Sequence, residues 1–308
     1  MKKTFKHFLI ESQKLPHWPK TVEELKKIYA KICVDPDSGE VMMPMFSDLF
    51  EDASVKFNDD VTVSIDWHHR VDRIQIQDWM LVDGQMPFPF KDVKTAFVIS
   101  QGCKLKSLAG VPRSCEVFTI EEQGLDSTVK DLVGGPEEVN SSFSVFACDG
   151  IESIRGFPTK IGNDMNLSIR FCKNFKDFSG IPEKLGNFNL SSTEHFTNDN
   201  LKDLPKEVDT LSLDQLPKLT SLHNIHKYVK SAKRITLYQT KIFSSILGLA
   251  MINGLNEVEE SFYDVNNEDK SWPTDGIIPI VEKYIGSHDV FEFQEELVDA
   301  GFTELAKI

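Results

Sequence analysis

The chain has 308 residues, 40% of them hydrophobic and 10% aromatic, enough to bury a large core in one elongated domain or two compact ones. Its 48 Asp and Glu against 34 Lys and Arg give a formal charge of −14, which opposes non-specific attraction to phosphate backbones and anionic bilayers. Neither nucleic acid nor a membrane is therefore expected as a partner. No stretch is long and apolar enough to span a bilayer, no secretory leader is read, and five cysteines without a Cys-x-x-Cys pair point to reduced thiols in a cytoplasm.

At the start of the chain Phe5, Phe8 and Leu9 lie at i, i+3 and i+4, one apolar stripe if helical. Thr4 to Glu11 resembles the short amphipathic leader, ending in (Leu/Ile)-x-Glu, that targets some bacteriophage proteins into the assembling capsid and is cut by the prohead protease. The resemblance implies a cut after Glu11; the same stripe equally serves a plain docking helix. Next, Thr21-x-x-Glu24 reads as a capping box ahead of Val22, Leu25, Ile28, Tyr29 and Ile32 at helical spacing, which predicts one amphipathic helix. Asp35 to Glu40 is acidic and turn-forming but lacks the ligand spacing of a calcium loop, so a solvated turn is expected. Val61, Val63 and Ile65 alternate as a strand able to cover the open end of the repeats that follow. His68 and His69 are adjacent, and adjacent strand residues point to opposite faces, so they do not share one ion.

The repeats themselves emerge around prolines. Pro112, Pro136, Pro158, Pro182 and Pro205 are separated by 24, 22, 24 and 23 residues, a solenoid period. Leu105-x-x-Leu108-x-Gly110-Val111-Pro112, Ile151-x-x-Ile154-x-Gly156-Phe157-Pro158 and Phe175-x-x-Phe178-x-Gly180-Ile181-Pro182 follow one template. A worn copy, Leu219-x-x-Leu222-x-Asn224-Ile225-His226, puts His226 in the proline column. After each landmark comes an apolar pair two residues apart, and the first members of the pairs are Ile74, Phe97, Phe118, Phe143, Leu167, Phe188, Leu211 and Ile235, eight copies in all. Such a pair lies on one face of a short strand, and stacked copies turn the pairs into ladders within a parallel sheet. Cys148 and Cys172 fall three residues after the second apolar position, in a column shared with Trp79 and Thr193, where buried turn groups need a partner.

The spacing Leu-x-Leu-x-x-(Asn/Cys)-x-x-Leu with the phrase Leu-x-x-Leu-x-Gly-x-Pro resembles leucine-rich-type repeats in proteins of large tailed bacteriophages, over about half of the chain. The stretch from Phe293 to Phe302 resembles the C-terminal helix of the same phage proteins. The resemblance implies a solenoid and a viral source, and assigns no activity.

Beyond the repeats, Lys241 to Gly254 reads as a helix, Leu255 to Phe262 as a strand, and Asn266 to Gly276 as a polar connection. Asp289-x-x-Glu292 opens a closing helix with Phe293, Leu297, Ala300 and Leu305 available to pack. The expected fold is an α/β solenoid, a leucine-rich-repeat-like parallel sheet of about eight irregular repeats. Leader and N-terminal cap occupy 1–70, the repeats 71–240, and a helical cap 241–308.

No phosphate loop, nucleophile elbow or metal-ligand spacing is present, so no catalytic residue, cofactor or metal is expected, and His223 with His226 reads as packing. Side chains between and flanking each apolar pair turn to the outer, concave sheet face. Most are small and polar, such as Ser144, Ser168 and Ser212, and Phe146, Arg170, Arg234, Tyr238 and Glu121 are the candidate contacts for a protein partner, host or phage. The expected function is a non-enzymatic interaction scaffold of a bacteriophage in the host cytoplasm; the alternative is a packaged virion component whose leader is removed.

Overall fold

The computed structural model describes residues 17–43, 53–67, 73–123, 127–240, 242, 244–260 and 274–307. The leader from Thr4 to Glu11, the His68–His69 pair and most of the 266–276 connection lie outside the described residues. The chain is a solenoid of parallel strands with small helices toward its termini, as the repeat predicts. It divides into two compact units, one built from the described residues up to Ile151 together with Arg155–Gly162, the other from Glu152–Ile154 and the residues from Asn163 onward.

In the first unit, helix α1 (Val22–Ile32) starts at Thr21, whose Oγ1 accepts from the Glu24 amide at 3.2 Å. The Glu24 carboxylate closes the cap one residue early, accepting from the Lys20 amide at 2.7 Å. Leu25, Tyr29 and Ile32 are buried, and the Tyr29 ring packs edge-on to Phe57 at 5.4 Å. The acidic turn is a solvated turn: the Asp35 carboxylate accepts from the Asp37 and Ser38 amides, both at 2.8 Å, and these bonds hold it below the usual carboxylate range. Strand β1 (Ala53–Phe57) pairs antiparallel with β2 (Val63–Trp67). Val61, expected in the strand, sits instead in the connecting turn at φ +61°, its amide bonded to the Asn58 carbonyl at 2.9 Å. A β-branched residue there is strained, and the Asn58 side chain holds the turn through the Thr62 carbonyl (3.2 Å) and hydroxyl (3.0 Å).

Parallel pairing begins at β4 (Phe90–Ile99), which takes β2 along its first half and β3 (Arg73–Ile76) along its second. It continues through β5 (Ser114–Glu121), β6 (Glu138–Phe146) and the two-residue β7 (Lys160–Ile161). Ile74, Phe97, Phe118 and Phe143 stand in register, as do Ile76, Ile99, Ile120 and Val145, and all eight are fully buried. A third ladder, Val93–Cys115–Val139–Ile161, runs upstream of these two and was not among the sequence expectations. Rings continue the packing in a file: Phe88 to Phe90 (4.9 Å), Phe90 to Phe97 (5.1 Å), Phe97 to Phe118 (6.0 Å, stacked), Phe118 to Phe143 (5.2 Å) and Phe143 to Phe157 (5.0 Å).

In the second unit, β8 (Asn166–Arg170), β9 (Lys184–Ser191), β10 (Glu207–Asp214), β11 (Ser231–Leu237) and β12 (Glu257–Glu260) pair in parallel, in chain order. Leu167, Phe188, Leu211, Ile235 and Val258 share one register position, and Leu185, Val208 and Ala232 form a ladder further upstream. Strands β8 to β11 each leave the sheet through a residue at positive φ: Phe171 (57°), Ser192 (53°), Gln215 (53°) and Gln239 (55°), matched by Ala147 (54°) in the first unit. The left-handed conformation costs a non-glycine residue roughly 1–2 kcal/mol, less than the two side chains its strand buries at roughly 1.5–3 kcal/mol each. It also aims an amide at the next strand: Phe171 N to Ser191 O at 3.0 Å, Ser192 N to Asp214 O at 3.1 Å, and Gln215 N to Tyr238 O at 2.8 Å.

Three side chains at or next to the column behind that turn reach buried carbonyls of the preceding copy, whereas Thr193 Oγ1 in the same column is buried without a partner among the described residues. Cys103 Sγ reaches Ile76 O (3.6 Å), Cys148 Sγ reaches Ile120 O (3.6 Å), and Thr240 Oγ1 donates to Leu213 O at 2.6 Å while accepting from the Leu216 amide at 3.1 Å. Trp79 does not belong to the column: it is 40% exposed, and a short 3-10 turn over Asp78–Met80 puts Met80 inside instead. In the turn phrase, Gly110, Gly134, Gly156 and Gly180 all take φ between 87° and 96°. Asn224 in the worn copy does not, at φ −98°; it opens a single helical turn, α2 (Ile225–Tyr228), that replaces the glycine turn.

The expected helix over Lys241–Gly254 shortens to a buried 3-10 segment, Leu247–Met251. A Cβ on Gly248 would stand 2.4 Å from the Leu222 carbonyl, so the backbone lies too close to its neighbour for a wider helix. The strand expected after it is β12. Two helices close the unit, α3 (Thr274–Tyr284) and α4 (Val290–Asp299); Asp289 caps α4 by accepting from the Glu292 amide at 3.2 Å. Phe293, Leu297 and Leu305 are buried, and Ala300, expected to pack, is exposed. Among the described residues no helix is long and apolar enough to cross a membrane.

Candidate partner-binding face

On each strand the residue between the two buried ones points away from the core, so the ladders that build the core also fix an outer face. In the first unit this face is partly closed. Val98 is 4% exposed and Ser100 is 3%, so neither contributes to a free surface. Glu121 and Phe146 are half-buried and directly opposite one another on β5 and β6.

In the second unit the outer face reads, strand by strand, as rows of small polar groups. Asn166, Asn187, Thr210, Arg234 and Glu257 make one row; Ser168, Asn189, Ser212, Thr236 and Glu259 make the next. Neighbours in a row meet: Asn187 Nδ2 donates to Asn166 Oδ1 at 2.6 Å. Arg234 is not free for a partner as it stands. Its guanidinium holds Glu257 at 2.6 Å and Glu259 at 3.7 Å, across to β12. Exposed pairs of this kind contribute about 1 kcal/mol or less, so the Arg is held only lightly.

Tyr238 stands out from the rest of the face. It follows β11 directly and is 55% exposed. Its amide donates to Asp214 Oδ1 at 2.9 Å, its carbonyl takes the Gln215 amide, and its hydroxyl accepts from Gln239 Nε2 at 3.2 Å. The strand-exit residues supply this last contact in series: Ser192 Oγ donates to Gln215 Oε1, Gln215 Nε2 donates to Gln239 Oε1 at 2.7 Å, and Gln239 donates to Tyr238. The ring is thus exposed yet held, with its hydroxyl proton left over as a donor. Of the five candidate contacts, the structure puts Glu121 beside Phe146 and places Arg234 and Tyr238 on or next to one strand, with Arg170 at the end of β8. The polar chain along the strand exits was missed in sequence because it depends on the left-handed turn, which Ala, Phe, Ser and Gln all occupy.

The described groups offer little reactivity elsewhere. All five thiols are free and buried, and burial, reinforced by nearby Asp78 and Glu116 respectively, pushes those of Cys103 and Cys115 up to about 12. Among the described residues no three His, Cys, Asp or Glu side chains are grouped as a metal ion requires. His223 Nδ1 lies 3.3 Å from Ser245 Oγ, while His226 Nδ1 is buried without a hydrogen-bond partner among the described residues. Burial first, then the charges of Lys227, His223 and Lys230, hold His226 below the usual imidazole value of 6.5. A depressed folded value means that the neutral ring is favoured by folding; its contribution is complete above 6.5 and is lost as pH falls through the folded value. The urea midpoint of the wild type should accordingly drop more steeply below pH 6.5 than that of His226→Gln, and parallel curves for the two would rule this out.

Compared with protein-family models, with curated proteins and with solved structures, the chain matches none of them.

Proposed function

We propose that this chain is a non-enzymatic protein-interaction scaffold of a large tailed bacteriophage, which binds a host or phage protein across the outer sheet face in the host cytoplasm. The observation that carries the reading is Tyr238: a large aromatic, more than half exposed, its backbone and hydroxyl both hydrogen-bonded, beside rows of small polar groups. Aromatic side chains have few rotatable bonds to order on binding, and such residues dominate interface energetics. The phage setting rests on the resemblances of the repeat phrase, of the leader-like Thr4–Glu11 and of the closing stretch Phe293–Phe302.

Capture of partners by tagged protein from infected cells tests the reading. Ser212→Trp raises a bulky ring in the middle of the second unit's outer face without touching the core, and Tyr238→Ala removes the anchor. Loss of the anchor is expected to cost about 2 kcal/mol or more, on the order of thirtyfold in affinity, and Ser212→Trp at least as much. Retention of every partner by both variants sinks the proposal. The leader favours a second reading, a packaged virion protein, and recovery from purified particles of an abundant chain beginning at Ser12 would establish it.

A further inference from the structure

The acidic groups of the second unit's outer face are not treated alike. Glu207 meets Lys184 at 3.6 Å, Asp209 meets Lys233 at 2.8 Å, and Glu257 and Glu259 share Arg234. Asp214 alone among these has no cation within the described residues. It is also half-buried. One carboxylate oxygen accepts from the Tyr238 amide at 2.9 Å and the Thr236 hydroxyl at 3.3 Å, and the second oxygen has no partner among the described residues. A charge half withdrawn from water and left unpaired is costly, and the Asp214 carboxyl is duly pushed up from its ordinary value, by desolvation first and by Glu259 in addition. The amide that donates to this carboxylate belongs to Tyr238, whose residue is 55% exposed. A carboxylate lacking a counter-ion among the described residues, bonded to the backbone of an exposed aromatic residue, supplies the two components with which proteins hold an ammonium or guanidinium group.

We propose that the corner made by Asp214, Thr236 and Tyr238 receives a lysine or arginine side chain of the bound partner, the cation lying over the Tyr238 ring with the Asp214 carboxylate as its counter-ion. This rests on the outer-face reading above and adds the chemistry of the partner to it. Charge complementarity selects the occupant: the corner offers two acceptors and a π face, and its only uncommitted donor is the Tyr238 hydroxyl. An anionic side chain would be repelled by the Asp214 carboxylate, and an apolar one would leave that carboxylate without a counter-ion. A bound cation also returns Asp214 toward its ordinary titration range, so affinity should fall when acid protonates the carboxyl and when salt screens it.

The test is selection of a displayed random-peptide library on the full-length chain. Affinities of the recovered peptides are then measured for the wild type and for Asp214→Asn, Tyr238→Phe, Tyr238→Leu and Ser212→Trp. Asp214→Asn keeps the oxygen that accepts from Tyr238 and Thr236 while turning the other, free oxygen into an uncharged amide donor, so its urea midpoint at neutral pH should equal or exceed that of the wild type. The expected pool is enriched in Lys or Arg, loses tenfold or more in affinity on Asp214→Asn and on Tyr238→Leu, and keeps most of it on Tyr238→Phe. A pool that is blocked by Ser212→Trp but lacks basic residues, or is indifferent to Asp214→Asn, overturns the cation corner and leaves the outer face as a binding surface. Failure to recover any pool sensitive to Ser212→Trp overturns both.

Discussion

Phe118→Ala is expected to destabilise the first unit by about 3–5 kcal/mol, the range for truncating a large aromatic in a packed core. The ring is fully buried, stacked on Phe97 with planes 1° apart and centroids 6.0 Å apart, and tilted against Phe143 at 5.2 Å. Removing it therefore deletes apolar burial, two ring contacts worth roughly 0.5–1.5 kcal/mol each, and the middle of a ladder that neither neighbour can close, since each is fixed in register by its own strand. Against a total of roughly 5–15 kcal/mol for a typical domain, the unit should remain folded but open far more often. Backbone amide exchange in β4, β5 and β6 reads this directly, and should accelerate by about a hundredfold or more, at tenfold per 1.4 kcal/mol. Thr119→Ala, one residue on and facing outward, is expected to change stability by less than about 1 kcal/mol. Similar effects for the two variants would mean that the ladder is not what holds the unit together.

The ladder was legible because burial on one face of a strand imposes a period of two that nothing else in the chain imitates. Ile74, Phe97, Phe118 and Phe143 could be aligned from the sequence, and the structure has them in register. The upstream ladder was harder to see, because the shift between Val93 and Ala96, and again between Cys115 and Val117, breaks the alternation that would have announced it. Residues at caps and turns were misplaced for a different reason. Val61 and Trp79 have the side chains of a strand or a core, yet the backbone around them turns, and hydrogen bonds made by Asn58 and by the Asp78–Met80 segment decided the outcome. On the candidate face, Tyr238 could be singled out as an aromatic at an outward position. What sets it apart physically could not be read: its neighbours Gln215 and Gln239 look like ordinary surface residues until the left-handed exits of β10 and β11 line their side chains up beside it. Asp214 was visible only as one more outward acid, because a missing counter-ion is a property of three-dimensional neighbours.

Glycine in the turn phrase supplies the second large effect, and it divides one sequence column into two physical cases. Gly156 and Gly180 have nearly the same backbone, φ +93° and +89°, so an Ala at either position incurs the left-handed penalty of roughly 1–2 kcal/mol. They differ in what a Cβ would meet. At Gly156 it would lie 2.5 Å from the Val133 amide nitrogen and 2.6 Å from the Leu132 carbonyl carbon, whereas at Gly180 nothing lies within 4 Å. Backbone of the preceding turn cannot swing aside as a side chain can, because the Leu132 amide is itself bonded to the Arg155 carbonyl at 2.8 Å, one residue before the glycine. Gly156→Ala should therefore cost about 3 kcal/mol or more and break that hydrogen bond, with amide exchange at Leu132 and Val133 rising together with the fall in the urea midpoint. Gly180→Ala should cost only about 1–2 kcal/mol, with no exchange signature beyond its own turn. Equal losses at the two sites would mean that φ alone selects glycine here. A clearly larger loss at Gly156 would show that the repeat keeps this glycine where successive turns touch.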